Sequence, residues 1–203
     1  MDKKSYTIVF DFGGVLIDWN PRYMYRKVFD NETEMEWFLG NVCTMEWNSL
    51  QDAGFPFSET IPALQKKFPD YKDQIAMYQS RWPEMVGGAV TGTVEILNEL
   101  RQKNGAVYGL TNWGADTFPI VFKRFEFLRK MDGIVVSGDE KKIKPNPELY
   151  QILLNRYQLH PENCIFIDDT LLNIHTAQQV GFNTIHFVSP ENLRHELQLL
   201  KVL

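Results

Sequence analysis

The chain has 203 residues, of which 44% are hydrophobic and 23% charged, with a formal net charge of -5. That balance predicts an ordinary globular fold, one substantial domain or a core with a small insert, and excludes a disordered chain. The acidic charge, without any dense Lys/Arg run, excludes a nucleic-acid footprint, and two widely separated cysteines, Cys43 and Cys164, exclude a disulfide framework or a zinc site.

The first predicted strand is Ile8-Val9-Phe10, which ends at Asp11 and runs into Phe12-Gly13-Gly14-Val15-Leu16. An apolar run that stops at a carboxylate and two glycines reads as a buried strand delivering an acid to a tight turn. The break at Asp11 makes the stretch behind Lys3 and Lys4 neither a signal peptide nor a membrane span. The cytoplasm is therefore the expected location.

Residues 19–88 hold no strand-like run. They are helical in pattern and rich in aromatic residues: Trp19, Tyr23, Tyr25, Phe29, Trp37, Phe38, Trp47, Tyr78 and Trp82. Turn signals at Asp52–Phe55 and Pro69–Tyr71 divide them. A helical block of about seventy residues between two strands reads as an inserted cap.

Beyond it, strands and helices alternate. Val94, Leu97 and Leu100 share a helix face that Asn104-Gly105 closes. Val107–Leu110 is a strand ending in Thr111-Asn112, with Trp113 and Gly114 following. Ile134–Val136 is another, with Lys144-Pro145 in the loop beyond it. Asn146-Pro147 supplies an N-cap and a first helical residue, and Leu149, Ile152, Leu153 and Arg156 continue at helical spacing. Cys164–Ile167 runs into Asp168-Asp169-x-x-x-Asn173, and Thr184–Phe187 is the last strand. This alternation predicts parallel pairing with right-handed crossovers, hence an α/β fold with a doubly wound parallel sheet. The expected division is a core of residues 1–18 and 89–203 and a cap of residues 19–88.

In such a sheet, functional groups gather at the carboxyl ends of the strands. Asp11, Thr111-Asn112, Lys144 and Asp168-Asp169 all follow strands. Carboxylates without a nearby His or Cys suit a hard cation, and Mg²⁺ is the usual one beside phosphate. A lysine and a Thr hydroxyl can hold phosphoryl oxygens, and a carboxylate among them can serve as a nucleophile.

The four motifs, in order, resemble those of the haloacid dehalogenase-like (HAD) superfamily across essentially the whole chain. The likeness is greatest to the small phosphatases with a helical cap, a group that includes sugar-phosphate phosphatases and the N-terminal domain of bifunctional epoxide hydrolases. The resemblance implies a Rossmann-like core and a Mg²⁺-dependent phosphomonoesterase of a small metabolite, working through an aspartyl-phosphate. It implies Asp11 as nucleophile and metal ligand, with Gly13 as a ligand through its carbonyl. Thr111 and Asn112 would contact the phosphoryl group, and Lys144 would balance charge. Asp169 would be the main metal-binding acid, Asp168 an accessory ligand or a group supporting the ligands from behind, and Asn173 would orient metal-bound water. Trp113 and Trp19, each beside a motif, are candidate pocket walls. The partners implied are a phosphorylated small molecule, no nucleic acid and no membrane, with the chain a monomer or homodimer.

One departure stands out. Most family phosphatases carry an aspartate two residues after the nucleophile as general acid and base, and this chain has Gly13 there. Three readings follow: a substrate with a good leaving group, such as a sugar 1-phosphate; a proton donor from elsewhere, such as the cap; or a weak enzyme or phosphate binder. A second enzyme class, hydrolytic dehalogenation of a 2-haloacid by the same Asp11, fits the missing acid. Family dehalogenases, however, use no metal and lack a paired acid like Asp168-Asp169.

Blander roles stand beside these. Asp168-Asp169 is also a plausible helix-start pair, and most insert aromatics read as core. Arg22 and Arg26 are able to face the pocket from the cap, but read first as a solvated face. His160 reads as surface, His175 and His195 as helical, and His186 and Cys164 as buried structure.

Overall fold

The computed structural model describes residues 6–103 and 105–203. Lys3, Lys4 and Asn104 lie outside the described residues. The strands are β1 (Thr7–Phe10), β2 (Ile17–Trp19), β3 (Val86–Ala89), β4 (Val107–Thr111), β5 (Gly133–Val136), β6 (Cys164–Asp168) and β7 (Asn183–His186).

Five of them form one parallel sheet in the order β5-β4-β1-β6-β7. The chain winds outward from β1 through β4 to β5, then crosses back to β6 and β7. The direction of winding therefore reverses beside β1, and the carboxyl ends of β1, β4 and β6 flank the crevice that this reversal opens.

The register explains the continuous apolar runs. Successive side chains alternate faces, so Ile8 and Phe10 of β1 pack in one core cluster and Val9 in the other. In β6, Ile165 and Ile167 join the first cluster while Cys164 and Phe166 join the second. Both faces are covered, the requirement for a parallel sheet. Helix Thr91–Gln102 packs with Pro190–Leu199, and Pro147–Tyr157 packs with Leu171–Val180. Each fully buried Ile, Val or Phe contributes roughly 1.5–3 kcal/mol.

The helix read from Asn146-Pro147 runs Pro147–Tyr157, and the Asn146 side chain accepts from the Glu148 N–H. It buries Leu149, Tyr150, Leu153 and Leu154 on one face.

Between β2 and β3 the chain is helical: Arg22–Tyr25, Glu32–Asn41, Met45–Asp52, Phe57–Lys67 and Lys72–Ser80, with short 3-10 turns. Its centre is aromatic. Tyr25, Phe38, Trp47, Tyr78 and Trp82 are buried, and Tyr25 lies 5.0 Å from Phe38, centroid to centroid. Trp37 departs from the expectation of core: it is 47% exposed and rests on Tyr71.

The expectation of no strand within residues 19–88 is corrected by β3. It pairs antiparallel with β2 as a two-stranded ribbon at the root of the helical segment. Its sequence, Val-Gly-Gly-Ala, has low strand propensity. Pairing with β2 overrides that, and the close approach of Asp18 and Tyr23 to Gly87 leaves no room for a side chain there.

Candidate active site

The site begins with the turn after β1. Asp11 stays in register, its N–H donating to the Ile167 carbonyl at 2.9 Å. The chain then folds back, with Val15, Leu16 and Ile17 N–H groups all donating to the Phe12 carbonyl. Gly14 has φ +73°, and a Cβ there would overlap the Asp169 carboxylate. Glycine at 14 is thus the condition for bringing the first and last motifs together.

Lys144 is the hub. Its side chain is 1% exposed, with Nζ 2.9 Å from Asp11 Oδ1 and 2.6 Å from Asp168 Oδ2. Burial alone would lower its pKa, but the charges and hydrogen bonds of Asp11 and Asp168 outweigh burial and raise it. The ammonium is therefore a fixed positive charge. Burial pushes Asp11 in the opposite direction from Lys144's pull and prevails, raising its carboxyl to about 7. Asp168 and Asp169 add repulsion in the same sense.

Asp168 is fully buried and fully engaged. Besides Lys144, it accepts from the Thr170 N–H at 2.8 Å and from Asn173 Nδ2 at 3.0 and 3.1 Å. Asp169 next to it is open to solvent on one side, and the partial burial of its carboxyl together with the Asp168 charge raises its pKa. Asp11, Asp168 and Asp169 each offer an oxygen, all within 4.8 Å of one another. Three carboxylates with no His or Cys form a donor set for a hard divalent cation, which would relieve their mutual repulsion.

Thr111 ends β4, is fully buried, and its hydroxyl has no partner among the described residues. The Asn112 side chain is spent on the backbone of Lys144. Its Oδ1 accepts from the Lys144 N–H at 2.8 Å and its Nδ2 donates to the Lys144 carbonyl at 2.9 Å. Asn112 thus fixes the lysine loop, and Asn173 likewise addresses Asp168.

Asp11, Asn112, Lys144, Asp169 and Asn173 floor a cleft of about 530 Å³, with Thr111 and Asp168 buried outside its lining, and much of its remaining wall comes from the helical segment. Trp19 and Trp113 both line it, and both indole N–H groups lack a partner among the described residues. Trp82 packs edge-on against Trp113 at 5.9 Å. Arg22 also lines the cleft but is paired with Glu36 at 2.5 Å, while Arg26 is exposed. His186 is half-buried, with Nε2 2.9 Å from the Asp169 carbonyl, and His160, His175 and His195 are exposed. Cys43 and Cys164 are free and buried.

Of the polar groups that the helical segment brings to this cleft, the sequence pointed to Arg22 but not to Asn48, Gln51 or Asp52. Asp52 stood only as the start of a turn. Its placement depends on a helix folding over the sheet, which no local pattern encodes.

The chain is similar to a sesquiterpene phosphatase of Aspergillus oryzae, 27% identical over 88% of this chain and 87% of the relative. It is also similar to a phosphorylated carbohydrates phosphatase of Thermotoga maritima, 25% identical over 90% of this chain and 84% of the relative. Among solved structures, an HAD family enzyme of Bacteroides thetaiotaomicron superposes with a TM-score of 0.74 at 23% identity, over 96% of this chain and 99% of that one. The same enzyme has been crystallised with magnesium and inorganic phosphate. The haloacid dehalogenase-like hydrolase model matches residues 8–187, and the chain belongs to that family.

Proposed function

We propose that the protein is a Mg²⁺-dependent phosphomonoesterase of a small metabolite, with Asp11 as the nucleophile. The observation that carries this reading is the union of three carboxylates within 4.8 Å of one another with a buried lysine 2.9 Å from Asp11. A dehalogenase using Asp11 has no need of that acidic trio, whereas a phosphoryl group and a cation would complete it.

Asp11 and Asp169 would hold the cation, with the Gly13 carbonyl beside them and Asp168, already engaged by Lys144 and Asn173, supporting them from behind. Mg²⁺, when bound, neutralises phosphoryl charge and polarises the P–O bonds. Lys144 screens the approach of an anionic phosphoryl group to an anionic nucleophile. The unpartnered Thr111 hydroxyl is available to a phosphoryl oxygen. Asn112 and Asn173 hold Lys144 and Asp168 in register. Asp11 attacks phosphorus, the substrate oxygen departs, and water then hydrolyses the aspartyl-phosphate.

In this reading residues 19–88 act as a cap over the α/β core of residues 1–18 and 89–203, excluding water and selecting the leaving group. Trp19 and Trp113 form pocket walls whose indole N–H groups can donate to leaving-group oxygens. A sugar phosphate, such as a sugar 1-phosphate, suits such a wall.

Phosphate release from aryl, sugar 1-phosphate and sugar 6-phosphate esters, with Mg²⁺ and with chelator, tests the reading. Release that requires Mg²⁺ and falls on the order of 10³-fold or more in Asp11→Asn is expected. No release, or release indifferent to Asp11, would overturn it.

A further inference from the structure

Gly13 leaves a real vacancy in the acid–base chemistry. A Cβ at 13 would meet only Trp113 Cζ3, at 4.0 Å, so no other side chain occupies that space. Five ionisable groups line the cleft: Asp11, Arg22, Asp52, Lys144 and Asp169. Arg22 is held by Glu36, Lys144 by Asp11 and Asp168, and Asp11 and Asp169 belong to the acidic trio. Asp52 alone among the five has no ion-pair partner among the described residues and stands outside the acidic trio.

Its position is built rather than incidental. Asp52 ends helix Met45–Asp52, and its carbonyl accepts from Ser137 Oγ, at 2.6 Å, just beyond β5. Gly54, at φ +90°, lets the following turn close on the Gly138 carbonyl, where a Cβ would stand 2.7 Å away. The side chain is held as well. Buried Tyr78 donates to Asn48 Oδ1 at 2.8 Å, and Asn48 Nδ2 donates to Asp52 Oδ2 at 3.2 Å. Oδ1 is left to carry a proton.

We infer that Asp52 is the general acid and base of the phosphoryl-transfer cycle, supplying from the helical segment the carboxyl that Gly13 lacks. The assignment rests on the phosphatase reading above. When Asp11 attacks phosphorus and the P–O bond to the leaving group breaks, the Asp52 proton passes to the departing oxygen. Asp52, now a carboxylate, takes a proton from water as that water attacks the aspartyl-phosphate. The P–O bond to Asp11 breaks, inorganic phosphate leaves, and both carboxyls return to their starting states.

The electrostatics suit both halves. Burial raises the Asp52 carboxyl to about 7, the Asp11 charge pushes the same way, and Lys144 opposes. Its seat at the C-terminal end of a helix also disfavours the anion. A group poised near neutrality can give and take a proton.

The test compares kcat/KM for an aryl phosphate, whose leaving group departs without a proton, with that for an alkyl phosphate, whose leaving group needs one. In Asp52→Asn, kcat/KM for the alkyl ester should fall on the order of 10²–10³-fold while the aryl value holds. The kcat should fall for both as the aspartyl-phosphate accumulates, visible as a phosphorylated protein after acid quench. Asp52→Glu, which keeps the carboxyl, should recover part of the alkyl activity and guards against a folding defect. Equal loss on both esters in both variants, or no loss, overturns the assignment of Asp52 while leaving Asp11 as nucleophile. Absence of turnover in the wild type overturns both.

Discussion

At the scale of residues, one buried cation organises the site. Lys144 sits between Asp11 and Asp168, and its own backbone is clamped by Asn112 at both N–H and carbonyl. Removing the clamp leaves two polar backbone groups without their partner, a loss of about 1–3 kcal/mol each when buried. Asn112→Ala should therefore lower the melting temperature and displace Lys144, reducing kcat/KM by on the order of 10²-fold. Unchanged kinetics in a destabilised variant would show that the clamp serves the fold alone. The residue types of the site were legible because they follow the strands in a recognisable order. Their partners were not. The Asn112–Lys144 pairing spans 32 residues of sequence, and nothing local distinguishes an amide that touches phosphate from one that holds a loop.

At the scale of elements, legibility follows local chemistry. Asn146-Pro147 carries cap and first-turn signals in adjacent residues, so that helix could be read directly. The strand β3 could not, because Val-Gly-Gly-Ala offers no alternation and two glycines. It exists because β2 pairs with it, and Asp18 and Tyr23 crowd the space over Gly87. A Cβ at Gly87 would lie 2.5 Å from Asp18 Oδ2 and 2.8 Å from Tyr23 Cε2, threatening the 2.7 Å bond between them. Gly87→Val should cost about 1–3 kcal/mol by overpacking, measured by denaturant unfolding. Wild-type stability in that variant would contradict the crowding argument. The Ser137–Asp52 bond is the corresponding tie between the helical segment and the sheet. It explains how a residue at the end of one helix reaches a site built from strand ends.

At the scale of the whole molecule, the sheet order sets everything else. The alternation of strands and helices made the parallel core legible, and the order β5-β4-β1-β6-β7 brings three motif-bearing strand ends to one crevice. The cleft itself was not legible, since its roof comes from a segment whose aromatic residues are mostly its own core. Gathering acids there has a stability consequence. The Asp52 carboxyl is raised from 3.8 to about 7 in the fold. Between those values the native state binds the proton more tightly than the unfolded chain, so stability from this group falls as pH rises through the window. Asp52→Asn removes the effect. The variant should gain stability relative to the wild type as pH rises from about 4 to about 7, read as the difference in unfolding midpoints. A constant difference across that range would contradict the raised carboxyl. The central claim, that Asp11 takes the phosphoryl group, is tested most directly by acid-quenching the protein during Mg²⁺-supported turnover of an aryl phosphate and locating the adduct by mass spectrometry. The account predicts one phosphoryl group on the peptide bearing Asp11, absent in Asp11→Asn. Turnover without an adduct, or an adduct on another residue, would contradict it.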